Sequence, residues 1–171
     1  MRYGARGWTL VELVIVLVIM GVLAYVVVRS LRPGEAQALQ QAERLRDDLR
    51  YTQMLAMNQG RAKQLKLGAP ASPASCAGSA YYVIDCTAGG TDPCTAAPNN
   101  AIADARQPGG FFCVSLPDGL ALGGADLYFD PLGRPKTGTA LIAANATFTI
   151  SGGGTQRSAV VTPLTGFATA Q

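Results

Sequence analysis

Gly7-Trp8-Thr9-Leu10-Val11-Glu12 opens an apolar run that continues to Val28, framed by Arg2 and Arg6 on one side and Arg29 and Arg32 on the other. Between Trp8 and Val28 the one charged residue is Glu12, and fourteen residues are Leu, Ile or Val. A helix of about 20 residues matches a bilayer core of roughly 30 Å. At roughly −0.3 to −0.6 kcal/mol each, those fourteen residues outweigh the roughly +3 kcal/mol of one acid at the centre of a span. Glu12 lies near one end and costs less. Composition therefore predicts a membrane-spanning helix over residues 8–28. Many of its residues are β-branched, as in buried strands, but the run is too long for one strand. In lipid the backbone must bond to itself, which selects a helix.

A secretory signal peptide carries small residues at a cleavage site after its apolar segment. Tyr25-Val26-Val27-Val28 offers none. The place for a cut is before the run, after Gly7, which leaves the Glu12 carboxylate close to a new amino terminus on Trp8. A carboxylate inside an apolar helix is a functional candidate that needs a named partner. The freed ammonium of Trp8, on the same or a neighbouring chain, is that candidate.

Gly7-Trp8-Thr9-Leu10-Val11-Glu12-Leu13 resembles the processing signature of type IV prepilins and type II secretion pseudopilins, with Trp8 where Phe is usual. The resemblance implies removal of a basic leader, 1–7, by a prepilin peptidase, N-methylation of Trp8, and an assembly role for Glu12. It implies a single-pass inner-membrane protein with its head in the periplasm, handed by an inner-membrane assembly platform to a pilus or pseudopilus. Membrane lipid and other pilin or pseudopilin subunits are then its partners. The expected fold class is α+β and type IV pilin-like: a long N-terminal transmembrane helix packed on a small antiparallel β head. The expected segments are the leader, the transmembrane and assembly helix at 8–28, a periplasmic helical continuation at 29–60 and a β-rich head at 61–171.

Charge is unevenly spread along the 171 residues. Residues 29–67 hold eight basic and four acidic side chains, whereas residues 68–171 hold four basic and six acidic ones. The C-terminal part thus shows no basic run of the kind that would recruit nucleic acid. Pro33-Gly34 predicts a kink or short break, because proline removes a helix hydrogen bond and biases the residue before it away from helix. Beyond it, Ala38, Ala42, Leu45, Leu49 and Ala56 recur at helical spacing and predict a buried stripe on a second helix ending near Gly60. Leu49-Arg50-Tyr51-Thr52-Gln53-Met54-Leu55-Ala56 resembles the helix end of GspH-, FimT- and MshC-like minor subunits. Helix from Trp8 to Gln59 would run roughly 75–80 Å, a stalk bearing a head.

Strands are expected at 62–67, 80–86, 111–116, 126–130, 146–151, 157–162 and 166–169. Phe148 and Ile150 alternate with Thr147 and Thr149, as a half-buried strand requires. Ser151-Gly152-Gly153-Gly154-Thr155-Gln156 reads as a hairpin turn; it precedes no helix, so it is not a phosphate loop. Asp130-Pro131-Leu132-Gly133-Arg134-Pro135 reads as another turn, similar to one in MshC-like proteins. Residues 68–108 form a long irregular insertion around one strand.

Cys76, Cys86, Cys94 and Cys113 lack any C-x-x-C pair, which favours two disulfides over a zinc site. Four cysteines allow three connectivities; Cys86–Cys94 and Cys76–Cys113 are the pairs expected. The chain has no histidine, so Ser-His-Asp and Cys-His catalysis are excluded. Asp118, Asp126 and Asp130 do not follow the spacing of a calcium loop. No enzyme activity, cofactor or metal is expected. The alternatives to a structural subunit are a FimT-like DNA-uptake subunit of a competence pilus and a membrane-tethered ligand-binding domain. FimT-type binders carry a basic Gly-Arg-x-Arg element near the C-terminus; Thr165-Gly166-Phe167-Ala168-Thr169 has no basic residue, so DNA is not an expected partner.

Overall fold

The computed structural model describes residues 9–30, 33–69, 76, 78–86, 102–104 and 110–171. The chain divides into two compact units, Met1–Pro33 and Gly34–Gln171.

The first unit contains helix α1 (Leu10–Ser30). Thr9 caps it: its Oγ1 accepts the Glu12 amide at 3.2 Å, and its carbonyl accepts the Leu13 amide at 3.2 Å. That is the N-cap half of a capping box, with Glu12 at the third helical position. Every described side chain of α1 is exposed on the single chain.

The single-pass inner-membrane placement is not upheld. Among the described residues, no helix is long and apolar enough to cross a membrane. Glu12 stands in the first turn of α1 and Arg29 near its end, so the uninterrupted apolar stretch is 13–28. At 1.5 Å per residue it is about 24 Å long, short of the roughly 30 Å of a bilayer core. Counting Trp8 to Glu12 as part of the span had supplied the missing length.

The second unit is α+β. Helix α2 (Pro33–Gln59) starts on a proline, whose missing N–H costs nothing at a first helical position; residues 31–32, between the helices, lie outside the described residues. The expected stripe is its buried face: Ala38, Ala42, Leu45, Leu49 and Ala56 are fully buried, with Asp48 and Thr52 among them. Thr52 Oγ1 donates to the Asp48 carbonyl at 2.7 Å, and the Tyr81 hydroxyl donates to Asp48 Oδ2 at 2.6 Å. A carboxylate on a core-facing helix stripe is tolerable only when hydrogen-bonded in this way.

Among the described residues ten strands follow, all paired antiparallel: β1 (Lys63–Leu67), β2 (Ala80–Asp85), β3 (Cys113–Ser115), β4 (Ala121–Gly123), β5 (Leu127–Phe129), β6 (Pro135–Thr137), β7 (Ala140–Leu141), β8 (Ala146–Gly152), β9 (Thr155–Val161) and β10 (Ala168–Ala170). They form a six-stranded sheet in the order β3-β2-β1-β5-β6-β7 and a four-stranded sheet in the order β10-β9-β8-β4. The α2 stripe forms one core with Leu65, Tyr81, Val83, Leu127 and Phe129 of the larger sheet and Phe148, Ile150, Ala159, Val161 and Ala168 of the smaller.

All seven expected strands are present. β4, β6 and β7 were not expected, because they are two or three residues long and carry no apolar alternation. β8 and β9 pair from Ala146↔Val161 to Gly152↔Thr155. The hairpin closes through Gly153 and Gly154, both at positive φ, the requirement of a two-residue turn that matches strand twist.

Candidate functional site

Three places in the described chain concentrate chemistry. The first is the start of α1. Thr9 fixes the first turn, and Glu12 stands one turn in, exposed and surrounded on its helix by apolar side chains. Gly7 and Trp8, the expected cleavage and methylation pair, lie outside the described residues, so the Glu12–Trp8 pairing falls there too. An apolar surface that runs round a whole helix marks a surface that other molecules cover.

The second place is the cysteine region. Cys76 and Cys113 are joined by a disulfide, with Cα atoms 5.9 Å apart. Cys113 opens β3 and pairs in register with Tyr82 of β2, so the bond ties the irregular insertion to the sheet's edge strand. Cys86 is also disulfide-bonded. Cys94, its expected partner, lies outside the described residues.

The third place is where two turns meet α2. Asp130 is buried and organises residues 130–135. Its Oδ1 accepts the amides of Leu132 and Arg134 at 3.0 and 2.9 Å, while Oδ2 accepts Arg134 Nε at 2.8 Å and lies 2.7 Å from its Nη2. Burial alone raises the Asp130 carboxyl. The Arg134 side-chain bond, the two backbone bonds and the Arg134 charge outweigh it and hold the group below its ordinary value. Asp126 is spent likewise: its Oδ1 accepts the Leu67 amide at 2.9 Å. Asp118 is exposed in the turn before β4. Among the described residues, no three of His, Cys, Asp and Glu are grouped to hold a metal.

Gln53 joins this turn to the C-terminal one. Its Nε2 donates to the Gly133 carbonyl at 2.8 Å and to the Thr165 carbonyl at 2.7 Å. One helical turn earlier, Arg50 donates from Nε and Nη2 to the Ala168 carbonyl at 3.0 and 2.7 Å, with its guanidinium 4.7 Å from the Phe167 ring centroid. The fold brings Arg50 and Arg134 to the two turns that Gln53 joins, and each spends its fork on a protein acceptor.

Lys63 is fully buried, and its Nζ lies 2.8 Å from Asp85 Oδ1, a close ion pair out of hydrogen-bond geometry. Arg61 approaches the other oxygen at 3.3 Å. The two paired residues stand opposite each other across β1 and β2. Strand alternation, with Lys63 two places before buried Leu65, was the available signal for this buried lysine. Nothing local signals Gln53 or Arg50.

No family model, no curated protein and no solved structure matches this chain.

Proposed function

We propose that the chain is a structural subunit of a type IV pilin-like filament, a minor pilin or pseudopilin resembling the GspH, FimT and MshC group. The observation that carries this is α1: a Thr-capped helix, apolar round its whole circumference, with one carboxylate in its first turn. A two-helix contact covers only a stripe. A helix apolar on every side needs several neighbours, and a filament core of like helices supplies them.

In such a bundle Glu12 has a defined role. An unpaired carboxylate at low dielectric costs several kcal/mol. The freed ammonium of Trp8 on a neighbouring subunit removes that cost at one axial offset only, so the pair sets register. Its partners are other subunits and the peptidase that cuts after Gly7. DNA is not proposed: the Arg50 and Arg134 forks are engaged with Ala168 and Asp130, and a binder needs several cations facing phosphates.

The test is intact-mass and N-terminal analysis of protein made in a host with the peptidase. The mature chain is expected to begin at Trp8 and to carry one N-methyl group. A mature start beyond Val28, or an uncut chain, sinks the proposal.

A further inference from the structure

Lys63 and Asp85 are placed for a reaction. Lys63 is fully buried, and its Nζ lies 2.8 Å from Asp85 Oδ1. Neither atom makes a hydrogen bond to any described residue, although an ammonium carries three donors. The two groups touch without the bonds that would fix them as an ion pair.

Strand register forces the contact. The Cys86 amide donates to the Ala62 carbonyl at 2.9 Å. Bonded and non-bonded pairs alternate along an antiparallel ladder, so Lys63↔Asp85, the next pair along, is a non-bonded one, where facing side chains stand closest. Its flanks are dry. Phe129 of β5 stands opposite Lys63 on the other side of β1. Leu65 and Val83 lie two places along on the same face, and all three are fully buried. The Asp85 side chain keeps 23% of its surface exposed, and Arg61 Nη1 lies 3.3 Å from its Oδ2.

We infer that Lys63 and Asp85 condense to an amide that joins β1 to β2 through their side chains. Lys63 passes one proton to Oδ1, and Nζ attacks Cγ to form the new N–C bond. A second proton then moves from Nζ to Oδ1, the Cγ–Oδ1 bond breaks, and Oδ1 leaves as water. Oδ2 remains as the amide oxygen. One positive and one negative charge cancel, and nothing is oxidised or reduced.

The surroundings favour each stage. A lysine amine acts as a nucleophile when it is out of water or beside a second cation; Lys63 is out of water, and Arg61 shares its carboxylate. Arg61 stands at Oδ2, where negative charge develops as Cγ becomes tetrahedral. Holding both groups in contact replaces a bimolecular encounter. The amide carries neither charge, which ends the cost of keeping two ions away from water, and the exposed edge of Asp85 gives the released water its way out. The bond forms wherever the second unit folds, in a filament or alone.

Intact mass of the full chain, reduced and denatured, tests it. The parent should be lighter than its own sequence by one water, and peptide mapping should find Lys63 and Asp85 in one branched peptide with no tryptic cut after Lys63. Lys63→Met and Asp85→Ala should each show the full mass. Arg61→Gln keeps both reacting groups and should crosslink roughly tenfold more slowly or worse in a time course from synthesis. Parent protein of full mass, or a water lost elsewhere, such as by ring closure at Asp118-Gly119, overturns the inference. Arg61→Gln crosslinking at the parent's rate overturns the part given to Arg61. The parent's own mass decides the bond, whatever a variant does to folding.

Discussion

Gly34 and Gly153 meet backbone to backbone: a Cβ on Gly34 would lie 3.1 Å from the Gly153 Cα, and one on Gly153 would lie 3.2 Å from the Gly34 Cα. The first turn of α2 therefore rests directly on the β8–β9 turn, and the Glu35–Arg157 ion pair, at 3.1 Å, lies beside it.

The two glycines should not respond alike. Gly153 has φ +59°, where alanine pays about 1–2 kcal/mol in backbone strain besides the contact. Gly34 is helical, and alanine there gains about 1 kcal/mol of helix propensity, which offsets the few tenths of an ångström the turn must yield. Denaturant unfolding should show Gly153→Ala destabilised by about 1–3 kcal/mol and Gly34→Ala within about 1 kcal/mol of the parent. Equal losses would mean that contact, not conformation, governs the site.

Asp130 predicts acid sensitivity. Its folded-state value is lowered by Arg134 and the two amides despite burial. A depressed carboxyl contributes stability that is full above its unfolded value, about 3.9, and is lost as pH falls through the folded value. Stability should therefore fall below about pH 4, and Asp130→Asn should flatten part of that fall while lowering stability near neutrality by about 1–3 kcal/mol. Urea titrations at a series of pH values measure both. An unchanged acid slope in the variant would assign the sensitivity elsewhere.

The two readings that held best were local ones. The α2 stripe was legible because Ala38, Ala42, Leu45, Leu49 and Ala56 share one helical face, and β8 because Phe148 and Ile150 alternate with threonines. Gln53 was not legible: its two acceptors are 80 and 112 residues away, and a glutamine on a helix carries no sign of them. β6 was hidden because it starts on Pro135, which reads as part of the turn. The membrane span was over-read because the residues that carry the processing motif were counted as apolar length, although Glu12 interrupts them.

The disulfide should hold β3 in place. Cys76–Cys113 spans 37 residues, and closing a loop of that size is worth about 2–4 kcal/mol in the chain-entropy account. β3 has three residues on the edge of its sheet, so it has little else to keep it paired. Non-reducing peptide mapping should find Cys76–Cys113 and Cys86–Cys94. Hydrogen exchange after mild reduction should show Val114 losing protection before Leu65 or Phe148. Simultaneous loss across the sheet would show that β3 does not depend on the bond.

Glu12 has two possible tasks that a pair of substitutions separates. Thr9 supplies one half of a capping box at the start of α1, and Glu12 stands at the position from which a glutamate or a glutamine side chain would supply the other. As the partner of a neighbouring ammonium it must carry charge, which glutamine lacks. Glu12→Gln should therefore keep the start of α1 intact, whereas Glu12→Ala should fray it, the loss being about 0.5–2 kcal/mol as for other caps. Circular dichroism of a peptide spanning 8–30 in detergent reads that difference. Filament incorporation, measured by immunoblot of sheared filaments, should fail for both variants, because both lack the carboxylate. Cleavage after Gly7 should persist in both. Normal assembly of Glu12→Gln with failure of Glu12→Ala would reduce Glu12 to a helix cap and remove charge pairing from the account of assembly.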